Sequence, residues 1–175
     1  ENGDLIPDSR TTEAYTYYES GLLREHRREF DSNATPPFER LDVWQYTYDD
    51  QGNTLTEYQQ LDLGAGGSVG SWRLETHEYN VNNLKLSEFV RRGSGTLNHE
   101  DERYTYWFTY DENHQELTRL LQADHDSNGT LDHAEFRTKT YDANKNLTYT
   151  VFQIDSDGNG TFDSSRLESN SFTFI

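Results

Sequence analysis

Tyr104-Thr-Tyr-Trp-Phe-Thr-Tyr110-Asp-Glu-Asn-His-Gln-Glu-Leu-Thr118 contains a complete strand-and-turn pattern. Tyr104, Tyr106, Phe108 and Tyr110 alternate with Thr105, Trp107 and Thr109, a period of two in residue types enriched in strands. Asp111-Glu-Asn-His then supplies turn formers, and a second apolar run starts at Leu117. Strand, turn, strand is the smallest unit legible here.

Tyr110 belongs to a series. Tyr17, Tyr48, Tyr79, Tyr110, Tyr141 and Phe172 stand 31 residues apart without slippage, the mark of a repeat architecture. Asp or Asn follows the anchor in Tyr48-Asp-Asp-Gln-Gly-Asn, Tyr79-Asn-Val-Asn-Asn and Tyr141-Asp-Ala-Asn-Lys-Asn. The following runs are Leu55–Leu61, Leu84–Val90, Leu117–Ala123 and Leu147–Ile154. Each repeat therefore predicts two strands, and five repeats plus Arg166–Ile175 predict ten or eleven. Short connections make neighbours pair antiparallel in sequence order. The expected fold is all-β, an antiparallel β-meander over residues 12–175, with residues 1–11 as a linker or cap.

The anchor and the apolar position five residues earlier, as in Val43 and Tyr48, have opposite parity. Either both faces of the sheet are partly covered or a bulge resets the register between them. A flat sheet this wide would leave an apolar face wet and two edges open. The expectation is a strongly curled sheet or an incomplete barrel.

Composition narrows the function. Of 175 residues, 31% are hydrophobic, and the formal net charge is −17. With a mean hydropathy of −1.05, a thick two-layer core is not expected. Aromatics at 14% set the chain apart from disordered sequences, which are poor in them. There is no cysteine, hence no disulfide or thiolate metal site. No apolar run reaches the length of a membrane span. Excess acid disfavours nucleic acid, whose phosphates call for lysine and arginine.

Much of the acid lies where a divalent cation would neutralise it. Asp124-His-Asp126-Ser-Asn128-Gly129-Thr130-Leu-Asp132-His-Ala-Glu135 fits a calcium loop at every defined position. Ca²⁺ takes six to eight hard oxygen ligands, so carboxylates and an amide oxygen at alternate residues must converge in a tight coil. Gly129 permits the turn, Thr130 offers its carbonyl, and Glu135 can close the site with two oxygens. The string recurs 31 residues on as Asp155-Ser-Asp157-Gly-Asn159-Gly160-Thr161-Phe-Asp163, with Arg166 in place of the twelfth-position Glu. Either this second loop is weaker, or such loops close through the ninth-position Asp, which both keep. Glu29-Phe-Asp31-Ser-Asn33-Ala-Thr35 has lost the Gly and carries Pro37 at the ninth position, so no third ion is expected there.

A complete EF-hand would make Glu116–Ala123 an entering helix. The equivalent Asn146–Ile154 reads as strand, and the fixed register extends that to the first loop. No catalytic site is selected. The six histidines are scattered, and no G-x-S-x-G, phosphate loop or dinucleotide turn occurs.

Tyr48-Asp-Asp-Gln-Gly-Asn-Thr-Leu-Thr, Tyr110-Asp-Glu-Asn-His-Gln-Glu-Leu-Thr and Tyr141-Asp-Ala-Asn-Lys-Asn-Leu-Thr resemble the YD (Rhs-type) repeats of bacterial secreted and cell-surface proteins. That resemblance implies β-hairpins joined into an extended sheet that serves as scaffold or shell. The acidic loops are similar to those of thrombospondin type 3 and dockerin modules, which bind Ca²⁺ outside paired EF-hands. The expected protein is a calcium-binding, calcium-stabilised repeat module, extracellular, surface-exposed or periplasmic. Its role would be structural or in interaction, its partner another protein or an extracellular polysaccharide. The alternative is a module that binds or degrades such a polysaccharide.

Overall fold

The computed structural model describes residues 9–31, 38–62, 69–95 and 99–169. They form β1 (Arg10–Tyr17), β2 (Leu23–Asp31), β3 (Arg40–Tyr48), β4 (Thr54–Asp62), β5 (Val69–Tyr79), β6 (Lys85–Ser94), β7 (Glu102–Tyr110), β8 (Glu116–Asp124), β9 (His133–Tyr141), β10 (Leu147–Asp155) and β11 (Ser164–Ser169). All belong to one sheet, in sequence order from β1 to β11. The chain is an antiparallel meander, and no helix occurs among the described residues. Two compact units are distinguishable, Glu1–Thr76 with Arg91–Asp101, and His77–Val90 with Glu102–Ile175. Arg10 and Thr11, expected in a leading linker, are in β1; residues 1–8 and the anchor Phe172 lie outside the described residues.

Tyr17, Tyr48, Tyr79, Tyr110 and Tyr141 are the last residues of β1, β3, β5, β7 and β9. The Asp or Asn after the anchor builds the turn. Asp111 Oδ1 accepts the N–H groups of Asn113 and Gln115, and Asp142 Oδ1 those of Asn144 and Asn146, at 2.8 Å each. Asn80 does the same with a neutral amide oxygen. The fourth turn residue is left-handed each time: Gly21, Gly52, Asn83, His114 and Lys145 have φ between 62° and 89°. The hydroxyls of Tyr110 and Tyr141 reach back to the carbonyls of Lys85 and Glu116, at 2.8 and 2.9 Å. In these two repeats the aromatic ties the turn to the start of the strand before its own.

The sheet does not close, and the strong curl or incomplete barrel expected from sequence is not found. The strand order is linear, and β1 and β11 are its two ends. A register shift does lie beside the anchor: Thr47 pairs with Thr56 but Tyr48 with Thr54, so Leu55 is the extra residue. That bulge is in β4. β3 runs unbroken from Val43 to Tyr48, and the two side chains face opposite sides. Both faces are half-covered. Among the described residues no second layer lies over either face. Arginine, tyrosine and glutamine stems shield their cross-strand neighbours, and most strand residues are only partly exposed.

Among the described residues, fully buried apolar side chains are accordingly few: Trp72, Val90, Ala123 and Ala134. Trp72 is 3% exposed, and its ring lies 2.7 Å from where a Cβ on Gly93 would stand. Gly93 occupies the repeat position held by Asp31, Asp124 and Asp155. There the indole fills space that the acidic loops leave to a carboxylate. Asp42, 1% exposed, is held by the guanidiniums of Arg28 at 2.6 Å and Arg40 at 2.8 Å.

Candidate metal centre

Asp124 ends β8 and Asp155 ends β10, and each is 3% exposed. Strand geometry delivers the first acidic residue of each loop to a buried spot at the sheet margin. The chain then coils around it. In the first loop, Asp124 accepts the N–H groups of Asn128 (3.1 Å) and Gly129 (2.9 Å), and Asn128 Oδ1 accepts that of Thr130 (2.7 Å). The second loop repeats this: Asn159 and Gly160 donate to Asp155 at 3.2 and 2.8 Å, and Thr161 donates to Asn159 at 2.8 Å. Gly129 and Gly160 are left-handed, at φ 89° and 86°, which a side chain would strain.

The ninth-position aspartates close both loops. Asp132 N–H donates to the Ala123 carbonyl at 2.9 Å, and its carboxylate accepts the His125 N–H at 2.7 Å. Asp163 N–H donates to Ile154 at 2.7 Å, and its carboxylate accepts the Ser156 N–H at 2.7 Å. One carboxylate oxygen each from Asp124, Asp126 and Asp132 lies within 4.8 Å of the others, and so do those of Asp155, Asp157 and Asp163. Either group can hold a metal ion. Asn128, Thr130, Asn159 and Thr161 lie in the same coils.

Glu135 and Arg166, the twelfth-position residues, are instead on β9 and β11. The Glu135 carboxylate is 3.5 Å from His133 Nε2 and is not among the three converging acids. The two loops therefore have the same carboxylate geometry despite the Glu-to-Arg difference, as expected if the ninth residue closes them. Asp31 is buried at the end of β2, but Asn33 and Thr35 lie outside the described residues.

Burial pushes the Asp124 carboxyl up. Hydrogen bonds from Gly129 and Asn128 and the charge of Arg103, 4.0 Å away, outweigh this and hold it below the usual range. Asp163 is lowered chiefly by the Ser156 hydroxyl and N–H. Arg103 pairs in register with Asp124 across β7 and β8, a partner that spacing along one strand does not reveal.

Turn formation accounts for part of the motif, since Asp124, Asn128 and Asp132 all accept backbone N–H bonds. It does not account for three carboxylates gathered together. Each pair repels by about 1 kcal/mol in water-like surroundings, and by more where water is excluded. A divalent cation with oxygen ligands reverses the sign of that term. No family model matches the chain, and no curated protein matches it.

Proposed function

We propose that the chain is a calcium-binding repeat module, stabilised by the ion, with a structural or interaction role in a secreted or surface-exposed bacterial protein. The observation carrying this reading is the duplicated convergence of Asp124, Asp126 and Asp132, and of Asp155, Asp157 and Asp163. Asp126 and Asp157 would add to the buried first aspartates, with the Asn128 and Asn159 amide oxygens and the Thr130 and Thr161 carbonyls completing an all-oxygen set. Hard oxygen donors suit Ca²⁺ better than Zn²⁺, which prefers nitrogen and sulfur.

The consequence is mechanical. Each loop joins two strands at the sheet margin, in a chain whose buried apolar core is small. An ion cross-linking the ends of β8 and β9, or of β10 and β11, offsets the missing core. Extracellular sites of this kind bind at about 10⁻⁴–10⁻³ M. At tenfold excess over the dissociation constant, one site adds about 1.4 kcal/mol. The resemblance to YD repeats and the acidic loops support an extracellular or periplasmic setting, where calcium is plentiful.

The test is thermal unfolding in millimolar Ca²⁺ against chelator, for the natural chain and an Asp126→Asn/Asp157→Asn double variant. Calcium should raise the midpoint of the natural chain and leave that of the variant in place. An equal midpoint with and without calcium in the natural chain contradicts the proposal.

A further inference from the structure

β8 to β11 carry a lateral row of cations on one face. Arg119 on β8 pairs in register with Arg137 on β9, Arg137 with Phe152 on β10, and Phe152 with Arg166 on β11. The guanidinium carbon of Arg137 is 4.6 Å from the Phe152 ring centroid and that of Arg166 is 5.1 Å from it. Phe152 is thus flanked from both neighbouring strands. These side chains line a groove of about 450 Å³ with Glu135, Ser164 and Ser165.

Two features of the row are unusual. Like charges directly opposite each other on paired strands are unfavourable, yet Arg119 and Arg137 are so placed. Acid is also plentiful, with 32 Asp and Glu against 15 Lys and Arg. Among the described residues, neither arginine makes an ion pair, and Arg137 Nε is buried without a hydrogen-bond partner. Of the three, only Arg166 has a carboxylate, that of Glu168. The row has unused donors and a repulsion that an anion would relieve.

We propose that this groove binds a carboxylate-bearing saccharide, a uronate-type oligomer. Guanidinium forks match a planar carboxylate with two parallel bonds. The remaining lining selects among anions. The Ser164 and Ser165 hydroxyls donate and accept, and the Glu135 carboxylate accepts, so ring hydroxyls beside a carboxylate find partners. A run of peptide carboxylates would meet Glu135 and a chain of net charge −17. A sugar carries one charge per ring with hydroxyls between, and suffers less from both. The twelfth-position residues of the acidic loops, Glu135 and Arg166, both face this groove. The proposal does not depend on an ion in those loops.

The test is calorimetric titration with a trigalacturonate, a neutral glucose trimer and a hexaglutamate peptide, in calcium and again in chelator. The uronate should bind and the glucose trimer should not. Arg119→Gln and Arg137→Gln should each weaken uronate binding roughly tenfold, the size of one lost charged hydrogen bond. Arg137→Lys should weaken it too, because the charge remains but the fork is gone. Circular dichroism of each variant separates lost binding from lost folding. No uronate binding to the natural chain, unchanged binding by folded variants, or tighter binding of the peptide would each overturn the proposal.

Discussion

Gly158 of the second acidic loop lies directly against the backbone of Leu131 in the first: a Cβ on Gly158 would collide with the Leu131 carbonyl. The neighbouring residue on that side is Asp132, which closes the first loop. The two loops are in contact through main chain, and Gly158 is also left-handed at φ 68°. Its counterpart Ser127 has φ 53° and carries a side chain. Gly158→Ala should therefore destabilise the fold by about 2 kcal/mol or more, from backbone strain and overpacking together. Ser127→Gly, where no such collision exists, should change stability by no more than about 1 kcal/mol. Urea unfolding of both variants is the check, and equal effects would mean that the loops do not meet.

Acid should unfold the sheet through its turns. The Asp49 and Asp142 carboxyls are lowered first by the Asn53 and Asn146 side-chain amides, and Asp111 first by the Gln115 N–H. A carboxyl lowered in the folded chain stabilises it above the unfolded-chain value, near about 4. That contribution is lost as pH falls through the folded value. The urea midpoint should hold from neutral pH down to about 4 and decline below it. Asp111→Asn/Asp142→Asn should keep the turns, as Asn80 already does, and flatten the acid decline. An equally steep decline in the variant would assign the acid sensitivity elsewhere.

The anchor hydroxyls give a third expectation. Tyr110→Phe and Tyr141→Phe remove the bonds to the Lys85 and Glu116 carbonyls while keeping the rings. Each should cost about 1 kcal/mol in urea unfolding, the net worth of one such bond. Because they tie different turns, the two losses should add in the double variant. A loss near zero would leave ring packing as the reason for the repeated tyrosine.

Much of this was readable from residue order because repetition fixed it. The anchor tyrosines, the Asp or Asn after them and the two acidic coils occupy equivalent places by a 31-residue count. That count made Glu116–Ala123 a strand where its leucines alone allow a helix. What sequence order did not reveal depends on neighbours across strands. The parity of Val43 and Tyr48 implies two half-covered faces, but curling is only one way to cover them; long side chains on an open sheet are another. Glu135 fits a ligand template by spacing; it lies on β9, which begins at His133, and is not among the three acids that converge. Arg119, Arg137 and Arg166 are unremarkable along the chain and become a row only once β8 to β11 are paired. Gly158 is legible as a turn residue; its contact with Leu131 is not.

If the paired aspartate clusters hold calcium, the ion should bind the isolated chain stoichiometrically. Calorimetric titration of Ca²⁺ into the chelator-stripped chain tests it most directly. Two saturable sites are predicted, with Asp126→Asn and Asp157→Asn each removing one and the double variant removing both. Absence of saturable heat up to about 10 mM calcium, ten times the weakest affinity usual for extracellular sites, would contradict the account.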